Sequence, residues 1–224
     1  MANARPKNSR DWVQRHLSDP YVIRANEEGF RSRSVYKLTE IDDKERLLKP
    51  GITVVDLGSA PGGWSQLAVQ KLRPDLHPTS KIIAIDILEM DPITGVHFIK
   101  GDFSSQEGRD AVVAAVSPDG KVGHVDLVIS DMAPNMSGIP TTDQARMFHL
   151  GEIAMDFAIE FLKPNGVFIV KVFQGTGFEP FVKLLRQNFV KVATKKPGAS
   201  RNESRESYLF GRGVKIKTPA LNQE

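Results

Sequence analysis

The sequence predicts a single α/β domain built on a mostly parallel sheet with helices on both faces. Three observations carry that expectation. Short β-branched runs recur along the chain, segments of helical spacing separate several of them, and the runs are apolar almost throughout instead of alternating. A strand that presents no polar side is buried on both faces, as in a parallel sheet covered by helices.

The elements read off in order. The runs "ITVVDL", "KIIAIDI", "VHFIKGD", "HVDLVISD" and "GVFIVKVF" are strands by composition and length. Between the last two, Met147, Leu150, Ala154, Phe157 and Phe161 fall at spacings of three and four, which gives one apolar face to a helix from Thr141 to Leu162. Lys163-Pro164-Asn165-Gly166 then stops it. A helix at Phe178 to Asn188, a strand "VKVAT", a basic loop and a last strand near "SYLFGR" complete the chain. With no internal repeat and no inner linker, residues 1–224 read as one domain with a basic N-terminal extension over about 1–37.

Composition excludes several classes. With 224 residues, 40% of them hydrophobic, the chain can bury a sizeable core. It has no apolar run of about 18 residues and no signal-peptide h-region, so a soluble cytoplasmic protein without a membrane partner is expected. Zero cysteines removes disulfides, thiolate nucleophiles and Cys-ligated zinc. His16, His77, His97, His124 and His149 are scattered without ligand spacing, so no metal centre is expected and these read as ordinary residues.

The net charge of +3 conceals a segregation. Residues 1–37 hold 8 Lys/Arg against 4 Asp/Glu, residues 186–217 hold 9 against 2, and the middle segment 38–185 holds 13 against 20. Two basic ends around an acidic centre fit a polyanion-binding rim, because cations gain affinity by releasing counterions from phosphates.

In a parallel sheet, ligands bind beyond the carboxyl ends of the strands. The polar residues closing successive runs are Asp56, Asp86, Asp102, Asp131 and Lys171, which places four carboxylates and one amine along one edge. The first run leads into "GSAPGG", where Gly58 and Gly62 let a ligand approach the backbone. The turn is not G-x-G-x-x-G, so the dinucleotide fingerprint is missing. Asp86 is placed to accept hydrogen bonds from ribose hydroxyls and Asp102 to meet an adenine edge. The carboxylates would repel a pyrophosphate but suit a sulfonium and an ammonium, which S-adenosylmethionine carries together. Trp64 either packs against that cofactor or is a core residue of the following helix.

The segments "FRSRSVYKLTEID", "VVDLGSAPGGWSQ", "DMAPNMSG", "VKVFQG" and "KPGASRNESRESYLF" carry a resemblance across nearly the whole chain. It resembles the FtsJ/RrmJ family of ribosomal RNA ribose 2′-O-methyltransferases. The resemblance implies a Rossmann-like methyltransferase fold with a seven-stranded sheet. It implies a catalytic Lys-Asp-Lys-Glu tetrad at Lys37, Asp131, Lys171 and Glu206, and cofactor contacts at Gly62, Trp64, Asp86, Asp102 and Asp131. For the bacterial branch it implies 23S ribosomal RNA as partner, with a uridine of the A loop as target, within the large subunit.

The tetrad suits the chemistry. A ribose 2′-hydroxyl is a weak nucleophile that needs alignment and a proton acceptor. Lys171, a charge within "VFIVKVF", is the candidate base; Lys37 is expected as the second cation, Asp131 as the group orienting the amine, and Glu206 as a positioner of Lys37 or the ribose. The segment "DMAPNMSG" has no aromatic to stack an extruded base, which favours a hydroxyl acceptor. Arg31, Arg33, Lys195, Lys196, Arg201 and Arg205 are expected to engage phosphates. Transfer-RNA and cap enzymes share the tetrad, and a non-catalytic RNA-binding module and a nicotinamide oxidoreductase are the readings from other classes. A monomer is the default state.

Overall fold

The computed structural model describes residues 17–118, 122, 124–201 and 204–215. The first 16 residues of the expected basic extension, His16 among them, lie outside the described residues, as do Asn202 and Glu203 of the basic loop. The elements are α1 (Pro20–Glu27), α2 (Val35–Glu45), β1 (Thr53–Leu57), α3 (Gly63–Leu72), β2 (Lys81–Asp86), β3 (His97–Lys100), α4 (Gln106–Val116), β4 (Val125–Ser130), α5 (Pro140–Phe161), β5 (Leu162–Phe173), α6 (Phe178–Asn188), β6 (Phe189–Lys195) and β7 (Glu206–Val214). They form one seven-stranded sheet in the order β3-β2-β1-β4-β5-β7-β6. Five strands run parallel, and β7 pairs antiparallel with both β5 and β6. This is the Rossmann-like arrangement expected. No described helix is long and apolar enough to cross a membrane.

Side-chain alternation divides the core between the two sheet faces. Val55, Leu57, Ile83, Ile85, Val128 and Phe168 pack with residues of α4, α5 and α6, among them Val112, Phe157 and Leu185. Val54, Ile82, Leu127, Ile129 and Ile169 pack on the other face with Leu38 and Ile41 of α2 and Trp64 and Leu67 of α3. Both faces are therefore covered, as the continuous apolar runs require.

One boundary differs from expectation. The long helix ends at Phe161 and the chain is extended from Leu162, whose ψ is 141°. The register against β4 then jumps from Val125↔Leu162 to Leu127↔Val167, so Lys163–Gly166 loops out of the ladder. Pro164 cannot donate to a ladder, which explains why pairing resumes only after Gly166.

The turn after β1 is built by backbone packing. Gly58 has φ +78°, and a Cβ there would lie 2.7 Å from the Met132 nitrogen and 2.8 Å from its Cα. The chain leaving β4 crosses directly over Gly58, so the glycine serves that crossing as well as the cleft beside it. Gly62, with φ +112°, faces Ile93, Met90 and the Arg31 guanidinium. Its missing side chain makes room for the segment between β2 and β3.

Asp56 lies beneath this turn. It shares the sheet face of Val54, is 1% exposed, and accepts a hydrogen bond from the Ser65 hydroxyl at 2.7 Å. Its second oxygen, Oδ1, has no partner. Burial, with Asp131 and Asp86 adding repulsion against the Ser65 bond, raises its pKa from 3.8 to about 7. The expected cofactor contact of Asp56 is thus corrected: α3 covers the carboxyl.

Two outcomes follow. Gly58→Ala is expected to lower the unfolding free energy by about 2–4 kcal/mol through overpacking and positive-φ strain, read from the denaturant midpoint. For Asp56, the folded state binds a proton that the unfolded state has released between about pH 4 and pH 7, so its contribution to stability falls as pH rises through that window. The stability of wild type minus that of Asp56→Asn should therefore decline by a few kcal/mol from pH 4 to pH 7; a flat difference would show that the carboxyl is ionised throughout.

Candidate active site

Beyond the carboxyl ends of the parallel strands lies a cleft of about 590 Å³. Its lining includes Gly58 and Ala60 after β1, Asp86 at the end of β2, Asp102 after β3, Asp131 after β4 and Lys171 of β5. Its apolar wall comes from Ile87, Leu88, Phe103 and Met132. The volume suits a nucleoside-sized ligand.

Each cleft carboxylate is fixed by its own loop. Asp86 accepts from the Ala60 nitrogen at 2.9 Å and the Leu88 nitrogen at 2.8 Å, tying the glycine turn to the end of β2. Asp102 accepts from the nitrogen and hydroxyl of Ser104 at 2.8 and 2.6 Å. A carboxylate has about four acceptor positions, so both retain capacity for ligand hydroxyls or amines. Three carboxylates against the Lys171 amine and the Arg146 guanidinium, with an apolar wall, fit S-adenosylmethionine: Asp86 would hold ribose hydroxyls, Asp102 the adenine side, and Asp131 the cationic end.

The tetrad forms two ion pairs. The Lys171 ammonium lies 3.0 Å from Asp131 Oδ1 and also donates to the Asp131 carbonyl. Lys37, in the first turn of α2, lies 2.6 Å from Glu206 Oε1, and the Ser200 hydroxyl donates to the same oxygen at 3.1 Å. Tyr208 joins the pairs. Register places it opposite Lys171, its hydroxyl donates to Asp131 Oδ1 at 2.9 Å, and the Lys37 nitrogen sits 5.9 Å from its ring centre. Burial, together with the charges of Asp131 and Glu206, pushes the Tyr208 phenol well above its ordinary pKa, so it remains a donor. Lys37, Asp131, Lys171 and Glu206 therefore meet around one side chain.

Other expected residues fall elsewhere. Gly62 and Trp64 do not line the cleft. The indole of Trp64 is 2% exposed, donates to the Ser34 carbonyl at 2.8 Å and packs against Tyr208 with ring centres 5.6 Å apart. It braces the start of α2, and with it Lys37. Among the expected phosphate contacts, Arg31 donates to the carbonyls of Pro61 (3.4 Å), Asp91 (2.5 Å) and Pro92 (3.0 Å). Arg33 is bound to Asp19 and to the Ala199 carbonyl, and Lys195 to Glu45. Arg31 and Arg33 hold loops together, and Lys195 ties β6 to the end of α2. Arg205 is exposed, as are Arg201, 3.4 Å from Asp19, and Lys196, which donates to the Ser204 carbonyl at 2.5 Å.

The cleft also contains residues that local patterns did not single out. Arg146 and His149 of α5 and Asn135 before it line its mouth. They lie one turn apart on the helix's polar side, and only the path of α5 past β4 reveals their place.

Comparison with known proteins agrees with this geometry. Residues 30–214 match the family described as FtsJ-like methyltransferase. Over 207 residues the chain is 54% identical to the ribosomal RNA large subunit methyltransferase E of Methylobacillus flagellatus, covering 92% of this chain and 96% of that one. It is 52% identical to the protein of the same name from an Azoarcus species, covering 92% and 97%. A crystal structure described as a ribosomal RNA methyltransferase from Plasmodium falciparum superposes with a TM-score of 0.71 at 30% identity, covering 83% of this chain and 98% of that one. The chain belongs to the FtsJ-like methyltransferase family.

Proposed function

We propose that this protein transfers a methyl group from S-adenosylmethionine to the ribose 2′-hydroxyl of a uridine in the A loop of large-subunit ribosomal RNA, acting as a monomer on the assembled subunit in the cytoplasm. The observation that carries the chemistry is the convergence of two lysine–carboxylate pairs on Tyr208, at the end of an acid-lined cleft. The names of the relatives support the large-subunit target, which distinguishes this reading from a transfer-RNA or cap enzyme sharing the same four residues.

The methyl donor supplies an electrophilic carbon on a good leaving group, and the protein supplies placement and a proton acceptor. Lys171, buried in β5, presents its nitrogen to the incoming hydroxyl at the end of the cleft. As the oxygen attacks the methyl carbon, the Lys171 nitrogen takes up the hydroxyl proton. Asp131 then stabilises the ammonium that results. Glu206 already neutralises Lys37, so Lys37 is not an uncompensated second cation acting on Lys171. It serves instead to hold the acceptor ribose or its phosphate, at a place fixed by Glu206 and Trp64.

Lys171→Ala is expected to lower single-turnover methyl transfer to undermethylated large subunits by about 100-fold or more while leaving S-adenosylmethionine affinity within a few-fold. Near wild-type transfer by that variant would exclude Lys171 as the proton acceptor.

A further inference from the structure

A second concave region lies at the opposite edge of the sheet, where β4 and β5 begin. It encloses about 600 Å³, and the residues around it include Arg46, Lys49, Lys163 and Arg212, against the carboxylates Glu45 and Asp126. None of the catalytic or cofactor residues takes part in it. Lys163 is spent on Asp126, contacting its two oxygens at 2.9 and 2.8 Å. Glu45 is shared: Lys195 bonds it directly, Arg212 lies 3.7 Å away and Lys191 4.0 Å away. The bond from Lys195, with the field of Lys191 and Arg212, holds the Glu45 carboxyl below its ordinary pKa. Glu45 is thus ionised and balances one of three cations.

The surplus is ordered in space. Lys191, Lys195 and Arg212 all lie over the ring of Phe210, at 5.9, 5.4 and 5.3 Å from its centre, on the sheet face covered by α2. Lys191 is 60% exposed and Arg212 39% exposed. Arg46 and Lys49, just past the carboxyl end of α2, are exposed, and among the described residues neither has a carboxylate within salt-bridge distance. The negative end of the α2 dipole favours cations there, but only within the last turn. Lysines on β6 also protect an edge strand from pairing with other chains. That accounts for Lys191; it does not account for Arg46 and Lys49, which lie on no strand. A surplus of unbalanced cations around a concavity matches a run of phosphates.

We infer that Arg46, Lys49, Lys191 and Arg212 form a second contact for the phosphate backbone of the substrate RNA, on the far side of α2 from the active site. The inference rests on the ribosomal RNA reading above. Helix α2 links the two places, with Lys37 in its first turn and Arg46 at its C-cap, and its 11 residues span about 16 Å. An RNA presenting its ribose at Lys37 can lie along α2 and β6 and meet these cations beyond the loop that holds Lys196.

The test uses the charge reversals Arg46→Glu and Lys49→Glu together, with Lys183→Glu and Arg186→Glu on α6 as a paired control. Binding to undermethylated large subunits and to the ribosomal RNA extracted from them is measured across a salt series, alongside S-adenosylmethionine affinity. The expected result is a tenfold or larger loss of affinity for both forms of RNA. The slope of log affinity against log salt should be shallower by about 1–2, and cofactor affinity and turnover at saturating substrate should not change. Unchanged affinity and slope, or an equal loss in the control pair, would overturn the inference. So would a loss confined to the intact subunit with free RNA unaffected, which would assign the surface to a ribosomal protein. If wild type itself transfers no methyl group to the RNA, the functional reading fails and not this surface alone.

Discussion

A charged amine lies within a strand of valines and phenylalanines, and the site is organised around keeping it there. Lys171 is 8% exposed, and an ammonium so placed without a partner would be strongly destabilising. Asp131 supplies that partner with both its side chain and its carbonyl. It can do so only because β4 and β5 are neighbours and the Asp131 nitrogen continues the ladder by donating to Leu57. Sheet order is therefore a condition of the chemistry.

The antiparallel insertion of β7 completes the site. Pairing with β5 sets Tyr208 opposite Lys171 and Glu206 opposite Phe173, so a strand from late in the chain delivers both a bridging phenol and the carboxylate for Lys37. On the other side, Trp64 ties α2 to α3 through Ser34 and packs at a tilt against Tyr208. Glu40, one turn beyond Lys37, accepts from the Gly198 and Ala199 nitrogens at 2.6 and 2.8 Å and fastens the loop that carries Ser200. The tetrad is thus held by packing and backbone bonds as much as by its own charges, which is how a proton acceptor is kept within reach of a single oxygen.

Much of this was legible in sequence because it is local. The strands, the helix from Phe178 to Asn188, and the run of polar residues closing successive strands depend on short-range patterns, and Asp86, Asp102, Asp131 and Lys171 all reach the cleft. Asp56 shared the pattern but not the place, because it lies on the sheet face that α3 covers, where alternation decides direction more strictly than nearness to a strand end. Pairings distant in sequence were invisible. Arg33 reads as a phosphate ligand until the fold brings Asp19 to it from 14 residues away, and Lys195 until Glu45 arrives from 150 residues away. Tyr208 likewise has no local signal, since its importance comes entirely from what lies across the sheet. The glycines of the first turn were read for ligand approach; at Gly62 the space is taken by Ile93 and Met90, and at Gly58 by the crossing of Met132.

These four side chains act on a ribose oxygen and not on a base. The most direct measurement of this is nucleoside mass spectrometry of undermethylated large subunits after incubation with the protein and isotopically labelled S-adenosylmethionine. The label is expected in a single 2′-O-methyluridine, carried on the sugar fragment. Label on a base fragment, or none on RNA while the cofactor binds, would contradict it.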